Sequence, residues 1–144
     1  MIDQKFIDKS SVKVFLEKVS YQNIGMPANL NRDSVVSSRT ADSYEILSIT
    51  DKNMELRFMR KVFFTPRVFM EANVQMRVKL KLTDQERNAR EEEIKSELAE
   101  KIDELLQLPI CNASFILSSI TSVSMPLPLI TPPYFLEEED DDDD

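Results

Sequence analysis

The sequence has 144 residues, 42% hydrophobic and 31% charged, which suits one compact domain with a genuine core and is too short for two comfortable ones. No histidine, one glycine (Gly25) and one cysteine (Cys111) exclude histidine-based acid–base or metal chemistry, a glycine-rich phosphate cradle and an internal disulfide. The net charge of −8 sits in the terminal run Glu137 to Asp144, eight acids in a row, so residues 1–136 balance at 18 acids and 18 bases.

The opening MIDQKFIDKS is mixed and charged, unlike a secretory signal, and no apolar run reaches the eighteen or so residues of a membrane span. A lone cysteine favours a reducing compartment, so a cytoplasmic protein is expected. Residues 11–22, SVKVFLEKVSYQ, predict a strand with apolar groups on both faces, covered on both sides or by a partner subunit. Residues 23–43 hold the only glycine, a proline and many small polar residues, and read as a loop with at most a short strand near Val35 and Val36. Tyr44 to Thr50 suggests a short strand, followed by a turn at Asp51-Lys52-Asn53.

From Met54 the period is two. Met54, Leu56, Phe58, Val62 and Phe64 share one side, with Arg60 as a lone charge among them. After Thr65-Pro66-Arg67, every second residue from Val68 to Leu82 is apolar, with Glu71, Gln75, Arg77, Lys79 and Lys81 between. Only a strand places such a series on one face, and at ~3.3 Å per residue it extends roughly 50 Å unless it bends. These segments predict an antiparallel sheet with one apolar and one wet face. The basic residues Arg77, Lys79 and Lys81 belong to the wet face and, with no interleaved aromatic beyond Phe69, read as solvated charge that guards the sheet rather than as a nucleic-acid site.

At Thr83-Asp84, which can cap a helix, the period changes. Ile94, Leu98, Ile102, Leu105 and Leu106 predict an amphipathic helix to about Gln107, interrupted at Pro109. A second helix from Ile110 to Val123 presents Ala113, Ile116, Leu117, Ile120 and Val123, with Phe115 toward its flank. It has no charge, so cover on most sides is expected, most economically by another subunit; those five residues are the predicted oligomer interface. Residues 125–136, MPLPLITPPYFL, contain four prolines and must run extended, either as a strap over the core or as the wall of an apolar groove. Residues 137–144 are expected to be a disordered acidic tail, a solubility appendage or an arm for a basic partner. Cys111 has no histidine to activate it and reads as a packing residue. No catalytic, metal-binding or cofactor residue is assigned, and no enzyme is expected.

Residues 110–136, ICNASFILSSITSVSMPLPLITPPYFL, resemble the SecB-like export chaperones. Phe115-Ile116-Leu117 with Ile120-Thr121 stands where that family has its helix motif, and Pro126 to Phe135 where it has a proline-rich crossover. The Pro-Tyr pair and arginine of the family's helix and the glycine before its crossover are absent, and the tail is acidic where some members have a basic, metal-binding one. The resemblance implies an α+β domain over residues 1–136: a four-stranded antiparallel sheet with one apolar face, two C-terminal helical segments and a proline-rich crossover. It further implies a dimer of dimers, and grooves that hold unfolded polypeptides without ATP, in the service of protein export. Phe115, Met125, Leu127, Leu129, Ile130, Tyr134 and Phe135 are then the expected client-binding groove. The alternative is a dedicated adaptor that keeps the fold for one partner, such as a toxin or a phage structural component.

Overall fold

A computed structural model describes residues 6–25, 35–83, 91–124 and 129–137. Four strands, β1 (Ile7–Gly25), β2 (Ser37–Ile49), β3 (Asn53–Thr65) and β4 (Phe69–Leu82), form one antiparallel sheet in the order β1-β4-β3-β2. Three helices follow: α1 (Glu91–Glu100), α2 (Ile102–Leu105) and α3 (Gln107–Ser124). The α+β class and the four-stranded sheet expected from the sequence are both present.

The two-residue period decides the layering. Met54 faces Leu80, Leu56 faces Val78 and Phe58 faces Met76 across β3 and β4, and all six side chains are buried. The helical layer covers this face, burying Ile94, Leu98, Leu105, Leu106, Ile110, Ala113 and Leu117 against it. Each such aliphatic side chain contributes about 1.5–3 kcal/mol by leaving water, so this single layer dominates the stability.

Several boundaries differ from expectation. β1 is longer than residues 11–22 at both ends. β2 begins at Ser37, not Tyr44, so the second half of the expected loop is an edge strand. Its inward register is Thr40, Asp42, Tyr44 and Ile46, and the polar members of that series hide the alternation. Val68 is buried but precedes β4, because Phe69 has φ 65 and Met70 N–H donates to Val68 O at 2.8 Å, a γ-turn that reorients the chain. The Phe69 ring meets Phe64 edge-on at 5.2 Å, which helps hold a backbone conformation unfavourable for a bulky residue.

The helix expected from Thr83 passes through residues 84–90, which lie outside the described residues. The expected break at Pro109 falls earlier. Backbone bonds Leu105 N–H to Lys101 O and Ile110 N–H to Leu106 O carry the helical path across both junctions. Pro109 lies in the first turn of α3, where a missing N–H costs nothing.

Candidate binding surface and the buried arginine behind it

The extended segment after α3 is fixed to the body through a polar cluster centred on Arg60. Arg60 and Asp42 occupy facing positions of β3 and β2 on the apolar side of the sheet, and both side chains are fully buried. Arg60 Nε donates to Asp42 Oδ1 and Nη2 to Oδ2, each at 2.7 Å, a bidentate pair. The guanidinium also donates to Ser114 Oγ of α3 at 2.8 Å, to Thr131 Oγ1 at 3.0 Å, to Pro132 O and to Tyr134 O at 2.7 Å. Asp42 Oδ2 accepts from Leu136 N–H at 2.8 Å, and Asp42 N–H donates to Leu136 O at 2.6 Å. A charge removed from water is costly unless it is paired and its remaining groups are hydrogen-bonded. Here those partners come from the crossover itself.

Two further bonds complete the attachment. Thr121 Oγ1 accepts from Leu129 N–H at 2.7 Å, and Asp103 Oδ1 accepts from Phe135 N–H at 2.8 Å. The Phe135 ring packs edge-on against Tyr44 at 5.9 Å and, tilted, against Phe58 at 6.3 Å. Glu137, the first residue of the acidic run, forms a parallel bridge with Asp42, so the described chain continues one residue past the expected end of the domain.

This anchoring divides the expected groove residues. Leu129 and Phe135 are partly buried against the core. Ile130 is 81% exposed, Tyr134 52% and Phe115 74%, so these three face solvent. Phe115 and Ile130 each follow or precede a residue of the Ser114–Thr131 hydroxyl contact, which brings their backbones together. Met125 and Leu127 lie outside the described residues.

The expected interface residues divide as well. Ala113 and Leu117 are completely buried against this chain's own sheet, so their cover needs no second subunit. The helix is amphipathic toward the sheet, and its lack of charge disguised which side faces inward. Ile116 and Ile120 are partly buried, and Val123 is 89% exposed. Leu108, Phe115 and Val123 fall along one flank of α3, all exposed. Cys111 is exposed rather than packed.

A second apolar exposure lies on β1. Leu16, Val19 and Tyr21 pair with the inward-facing Met76, Val74 and Ala72 of β4, yet all three remain exposed. The helices cover β3 and β4 more fully than this edge strand.

The opposite face of the sheet is charged. Glu17 binds Arg57 Nε and Arg77 Nη2 at 3.0 Å each, and Glu71 binds Arg67 at 2.6 Å and Lys61 at 3.8 Å. Hydrogen bonding from Arg57, then from Gln75, together with the positive field of Arg57 and Arg77, lowers the Glu17 carboxyl from 4.5 to about 2. Among the described residues no group of histidine, cysteine and acids is arranged to hold a metal, and no helix is long and apolar enough to cross a membrane.

No protein-family model matches the sequence, and no curated protein matches it. Among solved structures, the fold is similar to a SecB-like chaperone of Mycobacterium tuberculosis in complex with a ChAD peptide from the HigA1 antitoxin. The TM-score is 0.61 at 12% identity, covering 85% of this chain and 90% of that one. A protein of unknown function from Streptococcus agalactiae aligns over 88% of this chain and 97% of its own, at 8% identity and TM-score 0.43.

Proposed function

We propose, from the premise that this chain has a SecB-like fold, that it is a holdase: it binds non-native polypeptides, including chains bound for export, by apolar contact and without nucleotide. The observation that carries this reading is the outward placement of Phe115, Ile130 and Tyr134 on backbone that a buried clamp holds rigidly. Loose apolar ends are ordinary. Apolar side chains kept in water by a well-anchored segment have a use in binding. Leu16, Val19 and Tyr21 on β1 extend the apolar surface on the helix side of the sheet, and Met125 and Leu127 are proposed to join it. The absence of any glycine-rich phosphate loop agrees with action independent of ATP.

The exposed flank of α3 also supports self-association. Ile116, Ile120 and Val123 are spaced to form one stripe, and a second copy is its proposed cover, in an assembly such as a dimer of dimers within the cytoplasm. A second reading, a dedicated adaptor for one partner, draws support from the antitoxin peptide bound by the Mycobacterium tuberculosis chaperone.

The test is suppression of aggregation of a chemically unfolded client. The wild-type chain should delay aggregation at stoichiometric amounts. Phe115→Ser with Ile130→Ser should weaken that effect at least about tenfold while the melting temperature stays nearly constant, since both residues are exposed. If the wild-type protein neither delays aggregation nor binds an apolar peptide at micromolar concentration, the holdase reading is wrong. Capture of one protein rather than many from the native host would select the adaptor.

A further inference from the structure

We propose that the lysine-bearing end of the sheet's outer face is a docking surface for an acidic polypeptide segment, and that its occupant is this chain's own acidic run, residues 138–144. Four acids of that face are already engaged. Glu17 and Glu45 bind Arg57, Glu17 and Glu55 bind Arg77, and Glu71 binds Arg67 and Lys61. What remains is Asp8 against three lysines, Lys13, Lys79 and Lys81. Lys13 and Lys79 stand directly opposite one another in the β1–β4 register, both exposed, and neither has an ion-pair partner among the described residues. Like charges in that position repel, and a bound anion removes the repulsion. Lys81 follows on the same face opposite Asp8, and the Lys79 ammonium lies 5.3 Å from the centre of the Phe15 ring.

Direction and reach point the acidic run toward this patch. The bridge between Glu137 and Asp42 is parallel, so at Glu137 the described chain runs beside β2 in the sense of Asp42 to Ile49. At that end of the sheet Ser48, Glu55, Lys79 and Lys13 form one row across the four strands. The six residues from Asp42 to Ser48 span about 20 Å, and the three strand spacings from Glu137, beside β2, to β4 add about 14 Å sideways, so the direct path to the Lys79 position is ~25 Å. Seven extended residues cover about 23 Å, and the lysine side chains shorten the gap. A run of six or more carboxylates meeting three lysines has the charge complement that single exposed pairs lack.

The experiment is zero-length carbodiimide coupling of carboxylates to amines on the full chain, using an equal mixture of isotope-labelled and unlabelled protein, followed by peptide mapping. The expected products join Asp143 or Asp144 to Lys79, Lys13 or Lys81 within one chain, and fall about fivefold or more at high salt. In parallel, a full-length variant with Asp141, Asp142, Asp143 and Asp144 each changed to Asn should show Lys13 and Lys79 acetylated at least about threefold faster than in the wild type. Lys95 on α1 should be unchanged. Equal acetylation rates overturn the proposal, as do products found only between chains, which would make the occupant a second copy. It is also overturned if a single-stranded oligonucleotide protects these lysines in the variant better than an acidic peptide of equal charge.

Discussion

Arg60 interrupts an otherwise apolar series in β3, and in the folded chain it joins β2, β3, α3 and the crossover. Removing one member of a buried ion pair leaves the other charge uncompensated, a loss of about 3–5 kcal/mol. Arg60→Ala is therefore expected to lower the unfolding free energy by that amount in urea titration. Arg60→Lys should recover little, because an ammonium cannot reproduce the planar fork that meets both Asp42 oxygens. Arg60→Met combined with Asp42→Leu should be milder than Arg60→Ala alone, since no charge is stranded, though Pro132 O and Tyr134 O still lose their donor. Glu17 supplies a second test at this scale. Its folded pKa, about 2, is below the ordinary 4.5, so its contribution is complete above pH 4.5 and disappears as pH falls toward 2. The urea midpoint should fall across that window, and Glu17→Gln should flatten that part of the profile.

The crossover shows what one element owes to another. Among the described residues it forms no ladder with the sheet beyond the Asp42–Glu137 bridge, and side chains of α2, α3, β2 and β3 hold its backbone. Thr121→Val should strand the Leu129 amide, at about 1–3 kcal/mol. Hydrogen exchange should then quicken at Leu129, Phe135 and Leu136 before it changes in β4. Elements with an unbroken apolar period were legible from sequence: β3, β4 and the inward face of the helical layer. The first half of β2 was not, because its inward-facing Thr40 and Asp42 carry no hydrophobic signal and Asp42 is buried against Arg60, eighteen residues away. The lone arginine in an apolar register was the available clue to the clamp. Its partners could not be named from sequence, because hydrogen bonds to Thr131 Oγ1 and to the Pro132 carbonyl follow from the path of the chain, not from composition.

At the scale of the whole molecule, the expected need for a partner subunit was only partly visible. Ala113 and Leu117 are covered at home, while Phe115, Val123 and Ile130 are not. One apolar period cannot distinguish the side of a helix that meets its own sheet from the side that is left over. Val123→Asp places a charge on the most exposed member of the proposed stripe. It should reduce the mass measured by light scattering with little change in thermal stability, and an unchanged mass would remove α3 from any interface.

The two sides of the sheet respond to different conditions. From Gln107 to Leu136 the chain has no Asp, Glu, Lys or Arg, and among the described residues the cation its strap uses is lent by β3 from a site closed to solvent. Ions in the buffer reach the lysines and arginines of the outer face but not that buried guanidinium. Adding salt should therefore loosen whatever the outer face holds while the strap keeps its seat, and urea should release the strap with the fold.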